Sequence, residues 1–313
     1  MSRPALARST PCPSATPTVP EPGRPAWVDP DLFPFASRFL AVDGHRIHYV
    51  DEGSGPVLLL LHPGPGWCGY FHEFVRELRT SFRCVAPDYP GFGLSVAANG
   101  YRYSVREHSG AIERFIETLG LGDITLLVHD AGGPIGLGVA ARRPNWFRAF
   151  VLTSTFAFPL DDFPQVRFML RLVSSPPFRV LQALTNFLPR LVVNAAPRRR
   201  RLSTAEKRLI TAAFPDPAHR LRILTLFRSL ATDRQYLTSV EEGARRHLAA
   251  HPALILFGEK DPARAAGFDA RLRRLFPRHQ SFTVAAEQHF PHLAAAPEMI
   301  ERIRAFGRWV DAE

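Results

Sequence analysis

The sequence predicts an α/β protein whose doubly wound, mostly parallel sheet is interrupted by an inserted helical cap. Strand-like apolar runs alternate with helix-like segments through residues 31–156 and again through 250–313. The segment between them, 157–249, contains several prolines and amphipathic helix-like runs but no strand alternation. The chain has 313 residues and is 46% hydrophobic, which is ample for one core plus this insertion.

Periodicity places the individual elements. In the first part of the core it predicts helices over about 70–79, 104–119 and 133–143. In the cap it indicates helical runs over 205–213 and 218–230. In the second part of the core we expect a buried strand over 252–258, a polar helix near 265–275 and a short strand over 281–284.

The first thirty residues differ from the rest of the chain. They are rich in Pro, Ser, Thr and Ala and lack the apolar region of a secretory signal, so we expect a disordered tail over 1–30. No stretch is long enough to span a bilayer, which argues against stable membrane insertion. The three cysteines, Cys12, Cys68 and Cys84, give no even disulfide framework, which suits the reducing cytoplasm.

The charge balance is strongly basic, with a formal net charge of +10 and a pI near 10.3. Most of the excess is scattered arginine, and no recognised nucleic-acid module is present, so we expect no nucleic-acid partner. The dense run Arg198-Arg199-Arg200-Arg201 falls in the cap. We interpret it as an exposed, solvated corner, with attraction to an acidic partner or a membrane surface as the alternative.

The strongest local signal is a strand, a tight turn and a helix around one acidic residue. The apolar run 124–128 leads into the motif His129-Asp130-Ala131-Gly132-Gly133. This arrangement is the nucleophile elbow of α/β-hydrolases, with Asp130 where esterases and lipases carry serine. The alternative is that Asp130 only caps the following helix.

An aspartate at this position constrains the reaction. A carboxylate that attacks an acyl carbon makes a reactive anhydride. A carboxylate that attacks an sp3 carbon with a leaving group makes an ordinary ester, which activated water then cleaves. Asp130 therefore predicts opening of a carbon–halogen bond or an epoxide.

Two further residues complete a predicted triad in the chain order nucleophile, acid, histidine. Asp261 follows the strand at 252–258, and His289 lies in the loop after the strand at 281–284. His289 would take a proton from water, while Asp261 would fix its tautomer and stabilise the imidazolium. Alternatively, Asp261 is a turn residue before proline, and His292 competes with His289 for the role of the base.

No cluster of His, Cys, Asp or Glu has convincing metal-ligand spacing, so we expect no metal and no cofactor. The pair His45-x-x-His48 lies on an alternating strand, which favours a packing or surface role. Apolar cap residues such as Phe158 and Phe168 are candidates for a pocket around a small-molecule substrate, although ordinary cap packing explains them equally well.

Over about residues 33–311 the chain resembles haloalkane dehalogenases. Besides the elbow, the matching stretches are 49–56, the turn at His62, 86–95, Gly258-x-x-Asp261 and Gln288-His289-Phe290. The resemblance implies an α/β-hydrolase fold with a helical cap and a cofactor-independent hydrolase. It also implies an oxyanion hole formed by the amides of Gly64 and Ala131.

The chain departs from that family at the leaving group. The family usually carries a tryptophan after the nucleophile and an asparagine in the turn as halide donors, whereas this chain has Ala131 and Gly64 there. Trp67 is a candidate pocket residue that offers an indole from another direction, with ordinary packing as the alternative. Related epoxide hydrolases usually place two cap tyrosines on the epoxide oxygen, and the cap here contains only Tyr236, which is a candidate pocket residue or a packing residue of the cap.

These observations define a primary hypothesis and its alternatives. The primary one is an Asp-nucleophile hydrolase most like a haloalkane dehalogenase, and the first alternative is an epoxide hydrolase. The same triad also suits a lyase, cyclase or ring-opening enzyme without a covalent step. The last alternative is a binding protein that holds a small apolar ligand without turnover.

Overall fold

The protein is described here by a computed structural model covering residues 23–195 and 199–312. Within these residues, one eight-stranded sheet forms the centre of the molecule. Its strands are β1 Arg38–Val42, β2 His45–Glu52, β3 Val57–Leu61, β4 Arg83–Pro87, β5 Ile124–Asp130, β6 Phe147–Thr155, β7 Ala253–Gly258 and β8 His279–Val284.

The strand order is β1-β2-β4-β3-β5-β6-β7-β8. From β4 to β8 every neighbouring pair is parallel, whereas β1 and β2 are antiparallel to their neighbours. The central strands β3, β5, β6 and β7 are mostly apolar and are buried along nearly their whole length, because helices cover both faces of the sheet. The predicted doubly wound, mostly parallel sheet is confirmed.

The helices of the described residues follow the strands as expected for this class. They are α1 His72–Leu78, α2 Val105–Thr118, α3 Gly132–Arg142, α4 Pro164–Val173, α5 Pro176–Thr185, α6 Phe187–Ala195, α7 Thr204–Thr211, α8 Pro217–Thr232, α9 Arg234–Gly243, α10 Pro262–Ala265, α11 Phe268–Leu275 and α12 Ala296–Asp311. The single helix predicted near 265–275 is two helices, because Gly267 adopts a left-handed conformation with φ +93° between them.

Helices α4 to α9 lie between β6 and β7, within the segment 157–249. Local signals set their ends. Ser203 and Glu206 form a reciprocal capping box at the start of α7. The Asp216 carboxylate caps α8, whose first residue is Pro217. Helices α4 and α5 both pack against α8, which makes α8 the inner helix of the insertion.

The expectation of a disordered tail over 1–30 is wrong for its last part. Trp27 packs edge-on against Trp67 at 5.0 Å between ring centroids, and Val28 is buried. The Arg24 guanidinium donates to the carbonyl oxygens of Phe33 and Phe35. Two apolar side chains anchor this segment to the core, although prolines surround them in the sequence. Residues 1–22 lie outside the described part.

The arginine run is also not a simple solvated corner. Arg199 forms an ion pair with Glu298, and Arg200 pairs with both Glu73 and Glu206. These two arginines therefore join the inserted segment to the core, while Arg198 lies outside the described residues. Among the residues that the structure describes, we find no helix with the length and apolar character needed to cross a bilayer.

Candidate active site

The elbow places Asp130 at the end of β5 in a strained conformation. Its φ of +50° is left-handed, which costs energy for any residue except glycine. The Thr155 hydroxyl on β6 donates to the Asp130 carbonyl oxygen at 2.6 Å and holds the turn in place. The strain therefore presents the carboxylate above the carboxyl edge of the sheet.

The two glycines after the nucleophile are required by close contacts. A Cβ at Gly132 would lie 2.5 Å from the Leu61 carbonyl oxygen. A Cβ at Gly133 would lie 1.9 Å from the Thr155 hydroxyl oxygen that holds the elbow. Any side chain at either position would push α3 away from the sheet and move Asp130.

The two oxygens of the Asp130 carboxylate have different partners. The Gly64 amide donates to Oδ2 at 2.9 Å. Oδ1 lies 3.5 Å from Nε2 of His289. Gly64 therefore occupies the place predicted for an oxyanion donor, and Ala131, the second predicted donor, is buried at the start of α3.

The turn that carries Gly64 is fixed by His62. Its Nδ1 contacts the Pro63 carbonyl oxygen at 2.9 Å, and its Nε2 accepts a hydrogen bond from the Tyr89 amide. Tyr89 in turn donates its hydroxyl to the His62 carbonyl oxygen. Burial lowers the pKa of His62 to about 4, so the ring is neutral and acts as a positioning group.

Asp261 and His289, the predicted acid and base, are in contact as expected. Nδ1 of His289 lies 3.0 Å from Oδ1 of Asp261, which is completely buried after β7. The Ala263 amide donates to the same carboxylate oxygen and holds its orientation. The structure thus brings Asp130, Asp261 and His289 together, although they are far apart in the chain.

The charges of this triad depend on one another. Burial disfavours the His289 imidazolium, but Asp261 and Asp130 outweigh burial and raise the pKa of His289 to about 10. Burial likewise disfavours both carboxylates, and contact with His289 nevertheless lowers the pKa of Asp130 and of Asp261. In the free protein the site therefore holds one imidazolium between two carboxylates.

Two other histidines near the site have supporting roles. His129, whose role we did not predict, contacts the His289 carbonyl oxygen through Nε2 at 2.7 Å and fixes the loop of the base. Its only sequence signal was its place next to the nucleophile. His292, the predicted competitor, is buried against Tyr70 and His129, and burial holds its pKa well below the usual range. It lies behind His289 rather than beside Asp130.

A cavity of about 580 Å³ opens above the triad. Asp130, Asp261 and His289 lie in its wall, and most of the remaining wall is apolar. The apolar residues come from the end of β6 onward, the inserted helices, and the segment of α10 and α11 after β7, and they are Phe156, Val166, Met169, Leu170, Leu230, Pro262, Ala263, Ala265, Ala266 and Phe268. Such a cavity suits an apolar small molecule.

The three side chains predicted for the pocket lie elsewhere, and that prediction needs correction. The Trp67 indole N–H donates to the Leu209 carbonyl oxygen at 2.9 Å, inside the core. Phe158 is buried behind the cavity wall against Phe268. The Tyr236 hydroxyl donates to the Pro134 carbonyl oxygen at 2.8 Å, so Tyr236 joins α9 to α3.

The turn beside Asp130 is in contact with a residue that sequence reasoning missed. A Cβ at Gly64 would lie 2.5 Å from Cε1 of Phe227, on α8 of the insertion. The Phe227 ring therefore fills the space that a side chain at position 64 would need. No local pattern indicates this contact, because Phe227 reaches position 64 only through the packing of α8 on the core.

His45 and His48 do not form a shared site. His45 Nδ1 accepts from the Ala98 amide, whereas His48 Nδ1 lies 2.8 Å from Asp88. The Asp88 carboxylate also accepts from the Cys68 amide at 2.7 Å. His48, Asp88 and the Cys68 thiol lie close enough to share an ion, but each carboxylate oxygen already has a donor. This cluster is consistent with a packing role.

A strained elbow followed by a helix, together with a buried acid–histidine pair, is the arrangement typical of α/β-hydrolases. The family model for the alpha/beta hydrolase fold matches residues 56–296. This chain belongs to the α/β-hydrolase family, and both the fold and the enzyme class predicted from its sequence are confirmed.

Individual relatives agree with this assignment. Haloalkane dehalogenase 2 of Mycobacterium tuberculosis is 35% identical over 263 residues, which cover 84% of this chain and 91% of that protein. Cis-3-alkyl-4-alkyloxetan-2-one decarboxylase of Shewanella oneidensis is 30% identical, covering 88% and 89%. The crystal structure of an ancestral haloalkane dehalogenase superposes with a TM-score of 0.77 at 25% identity, covering 88% of this chain and 100% of that one.

Proposed function

We propose that this protein hydrolyses a small apolar substrate through an ester on Asp130, in the manner of a haloalkane dehalogenase. The observation that supports the proposal is that the two oxygens of the Asp130 carboxylate have different partners. One oxygen is held by the Gly64 amide at 2.9 Å, and the other lies 3.5 Å from Nε2 of His289. The dehalogenase relatives support halide as the leaving group.

The first step uses the oxygen that Gly64 does not hold. Oδ1 of Asp130 attacks an sp3 carbon, and the carbon–halogen bond breaks with its electron pair leaving on the halide. Oδ2 becomes the carbonyl oxygen of the ester. The Gly64 amide already donates to Oδ2, so it stabilises the negative charge when water later adds to the ester carbonyl.

The second step needs His289 as a base, although its pKa is about 10 in the free protein. Part of that rise comes from the negative charge of Asp130. Formation of the ester removes this charge, so the pKa of His289 falls toward its ordinary value and the ring releases its proton to solvent more readily. It then accepts a proton from the water that adds to the ester carbonyl carbon, while Asp261 stabilises the imidazolium. The bond from that carbon to the alkylated oxygen breaks, the alcohol leaves with a proton from His289, and the Asp130 carboxylate is restored. The base thus becomes available only after the nucleophile has reacted.

The absence of side-chain halide donors at positions 64 and 131 favours a second candidate function. Ala131 and Gly64 provide no side-chain N–H for a halide, and Phe227 fills the space beside Gly64. A strained ring avoids this need because its leaving group stays attached to the substrate. The Shewanella relative, named as an oxetan-2-one decarboxylase, supports such a substrate.

The ring-opening reaction consumes no water. Asp130 attacks a ring carbon, and the ring carbon–oxygen bond breaks to leave a carboxylate. Loss of carbon dioxide then forms a carbon–carbon double bond and releases the Asp130 carboxylate. Epoxide opening is less well supported, because the Tyr236 hydroxyl is bonded to the Pro134 carbonyl oxygen and lies outside the cavity wall.

A His289→Phe variant distinguishes these reactions. We would incubate it with haloalkanes, epoxides and alkyl oxetan-2-ones and record the intact mass. A haloalkane should leave an adduct equal to the substrate without its halogen, which peptide mapping should place on Asp130. The double variant Asp130→Asn/His289→Phe should gain no mass.

Each other outcome of this experiment assigns a different reaction or favours a different alternative. Addition of a whole epoxide would assign an epoxide hydrolase. Release of alkene and carbon dioxide from an oxetan-2-one, without a lasting adduct, would assign the ring-opening reaction. A folded His289→Phe variant that gains no mass from any haloalkane or epoxide, and does not release alkene, would contradict the covalent mechanism and favour the non-covalent or binding alternatives.

A further inference from the structure

Exposed apolar side chains are concentrated on three successive helices of the insertion. Eight large hydrophobic residues of the described chain are strongly exposed, and all except Val96 lie on α4, α5 or α6. The seven are Phe168, Met169, Leu172, Val180, Leu181, Leu184 and Leu191. Single exposed hydrophobic residues are ordinary, but a contiguous set marks a surface that contacts something apolar.

The spacing of these residues gives each helix an apolar outer face. Phe168, Met169 and Leu172 follow the i, i+1, i+4 pattern on α4, and Val180, Leu181 and Leu184 repeat it on α5. Residues at this spacing share one side of a helix. Because the inner sides of α4 and α5 pack on α8, these apolar faces point away from the core.

Charge on the same surface has one sign. Residues 164–195 contain four arginines and no aspartate or glutamate. Arg167 pairs with Asp161, which precedes α4. Arg171, Arg179 and Arg190 form no ion pair with any residue in the described ranges 23–195 and 199–312. The outer face is therefore apolar with unneutralised positive charge.

This surface is continuous with the catalytic cavity. Met169 is 51% exposed on the outer face and also lines the cavity that contains Asp130. Val166 and Leu170, on the same helix, line that cavity as well. One helix thus connects the exposed apolar face to the space above the nucleophile.

We propose that the outer face of α4–α6 is a docking surface for an anionic lipid bilayer. A bilayer matches both properties, since acyl chains accept the apolar side chains and acidic headgroups attract the arginines. A second copy of this chain fits less well, because a two-fold contact would bring the same arginines against one another. Entry of an apolar substrate from the bilayer, past Met169, rests on the proposed function, whereas docking does not.

Vesicle flotation tests the docking surface with the full chain. We expect the protein to float with phosphatidylcholine vesicles that contain phosphatidylglycerol. The variant Phe168→Ser/Leu184→Ser removes two strongly exposed side chains outside the cavity wall, and it should lower the bound fraction at least tenfold. Val96→Ser, which removes the exposed apolar residue elsewhere, should bind like the original protein.

A second variant separates charge from apolar contact. Arg171→Gln/Arg190→Gln should reduce binding to vesicles with phosphatidylglycerol severalfold and leave any binding to pure phosphatidylcholine unchanged. Thermal unfolding of each variant, unchanged from the original protein, verifies that the fold is retained.

Three results would overturn the proposal. The original protein would fail to float with the anionic vesicles, or Val96→Ser would lose as much binding as the double serine variant. Alternatively, light scattering would show a dimer that Phe168→Ser/Leu184→Ser abolishes, which assigns the surface to a second copy. Because flotation needs no turnover, failure here leaves the proposed reaction untouched.

Discussion

The two sides of the catalytic cavity are built on different principles. The strand side holds Asp130, Asp261 and His289 on loops at the carboxyl edge of the sheet, where each polar group has a nearby partner. The helix side is formed by α4 and α8, which contribute apolar side chains to the cavity wall, and the Phe227 ring of α8 lies beside Gly64. In the proposed reaction, the strand side supplies the reacting groups, and the helix side determines which substrates fit.

This difference explains how the chain can carry the triad predicted from its sequence while lacking the side-chain halide donors that the resemblance to haloalkane dehalogenases implies. Turn chemistry and sheet register fix the strand side, so a change there disrupts the whole site. On the helix side, the Phe227 ring fills the space that a side chain at position 64 would need and leaves the triad in place. The following experiments perturb each side in turn.

The largest effect should come from the strand side. Asp130→Asn keeps the shape of the side chain but removes the nucleophilic carboxylate. Turnover of the substrate identified by mass spectrometry should fall on the order of 10⁴-fold or more. Steady-state kinetics, with circular dichroism to verify folding, measures this. Retention of turnover within tenfold would mean that the covalent step is not used.

The charge of His289, on the strand side, should also make the free energy of unfolding depend on pH. Because the pKa of His289 is raised, its ionic contacts contribute stability that is complete below its ordinary pKa of 6.5 and is lost as pH rises toward about 10. Over that window the free energy of unfolding should fall by about 2 kcal/mol more than in His289→Gln. Urea titrations at both ends of the window measure it. Equal pH slopes for the two proteins would contradict the raised pKa.

Substitutions on the helix side should change which substrates the protein turns over. Gly64→Asn with Phe227→Ala places an amide donor in the space that the ring now fills. A hydrogen bond to a charged group contributes roughly 1.5–3 kcal/mol, so kcat/KM for bromoalkanes should rise about tenfold. Phe227→Ala alone is the control and should give no such gain. If the control improves equally, steric relief rather than a donor limits the reaction.

The smallest effect should come from Tyr236, which lies outside both sides of the cavity. Tyr236→Phe removes the hydrogen bond to the Pro134 carbonyl oxygen and should cost about 1 kcal/mol of stability. Turnover should stay within twofold on every substrate class. A large loss restricted to epoxides would instead restore Tyr236 as a proton donor.

The sequence was informative where local rules decide the structure. The apolar strand before His129, the glycines after Asp130 and the strand ends before Asp261 and His289 are each readable within a few residues. These patterns predict the triad because the carboxyl ends of parallel strands share one edge of a sheet. The alternating segments predicted the sheet for the same reason.

The sequence was uninformative where long-range packing decides. Trp67, Phe158 and Tyr236 are large residues near predicted site elements, and their types gave no sign that each already had a partner in the core. Phe227 reaches Gly64 only when α8 docks. Trp27 and Val28 pack on the core although the surrounding composition is typical of disorder.

The position of the insertion also affects how the chain must fold. Strands β6 and β7 are neighbours in the sheet, yet residues 156–252 separate them in the chain. Their pairing closes a long loop, and each doubling of loop length adds about 0.6 kcal/mol of entropic cost. Long-range parallel pairing of this kind slows folding. During synthesis Asp130 emerges well before His289, so two side chains that lie 3.5 Å apart in the fold can meet only after the insertion, β7 and β8 have been made.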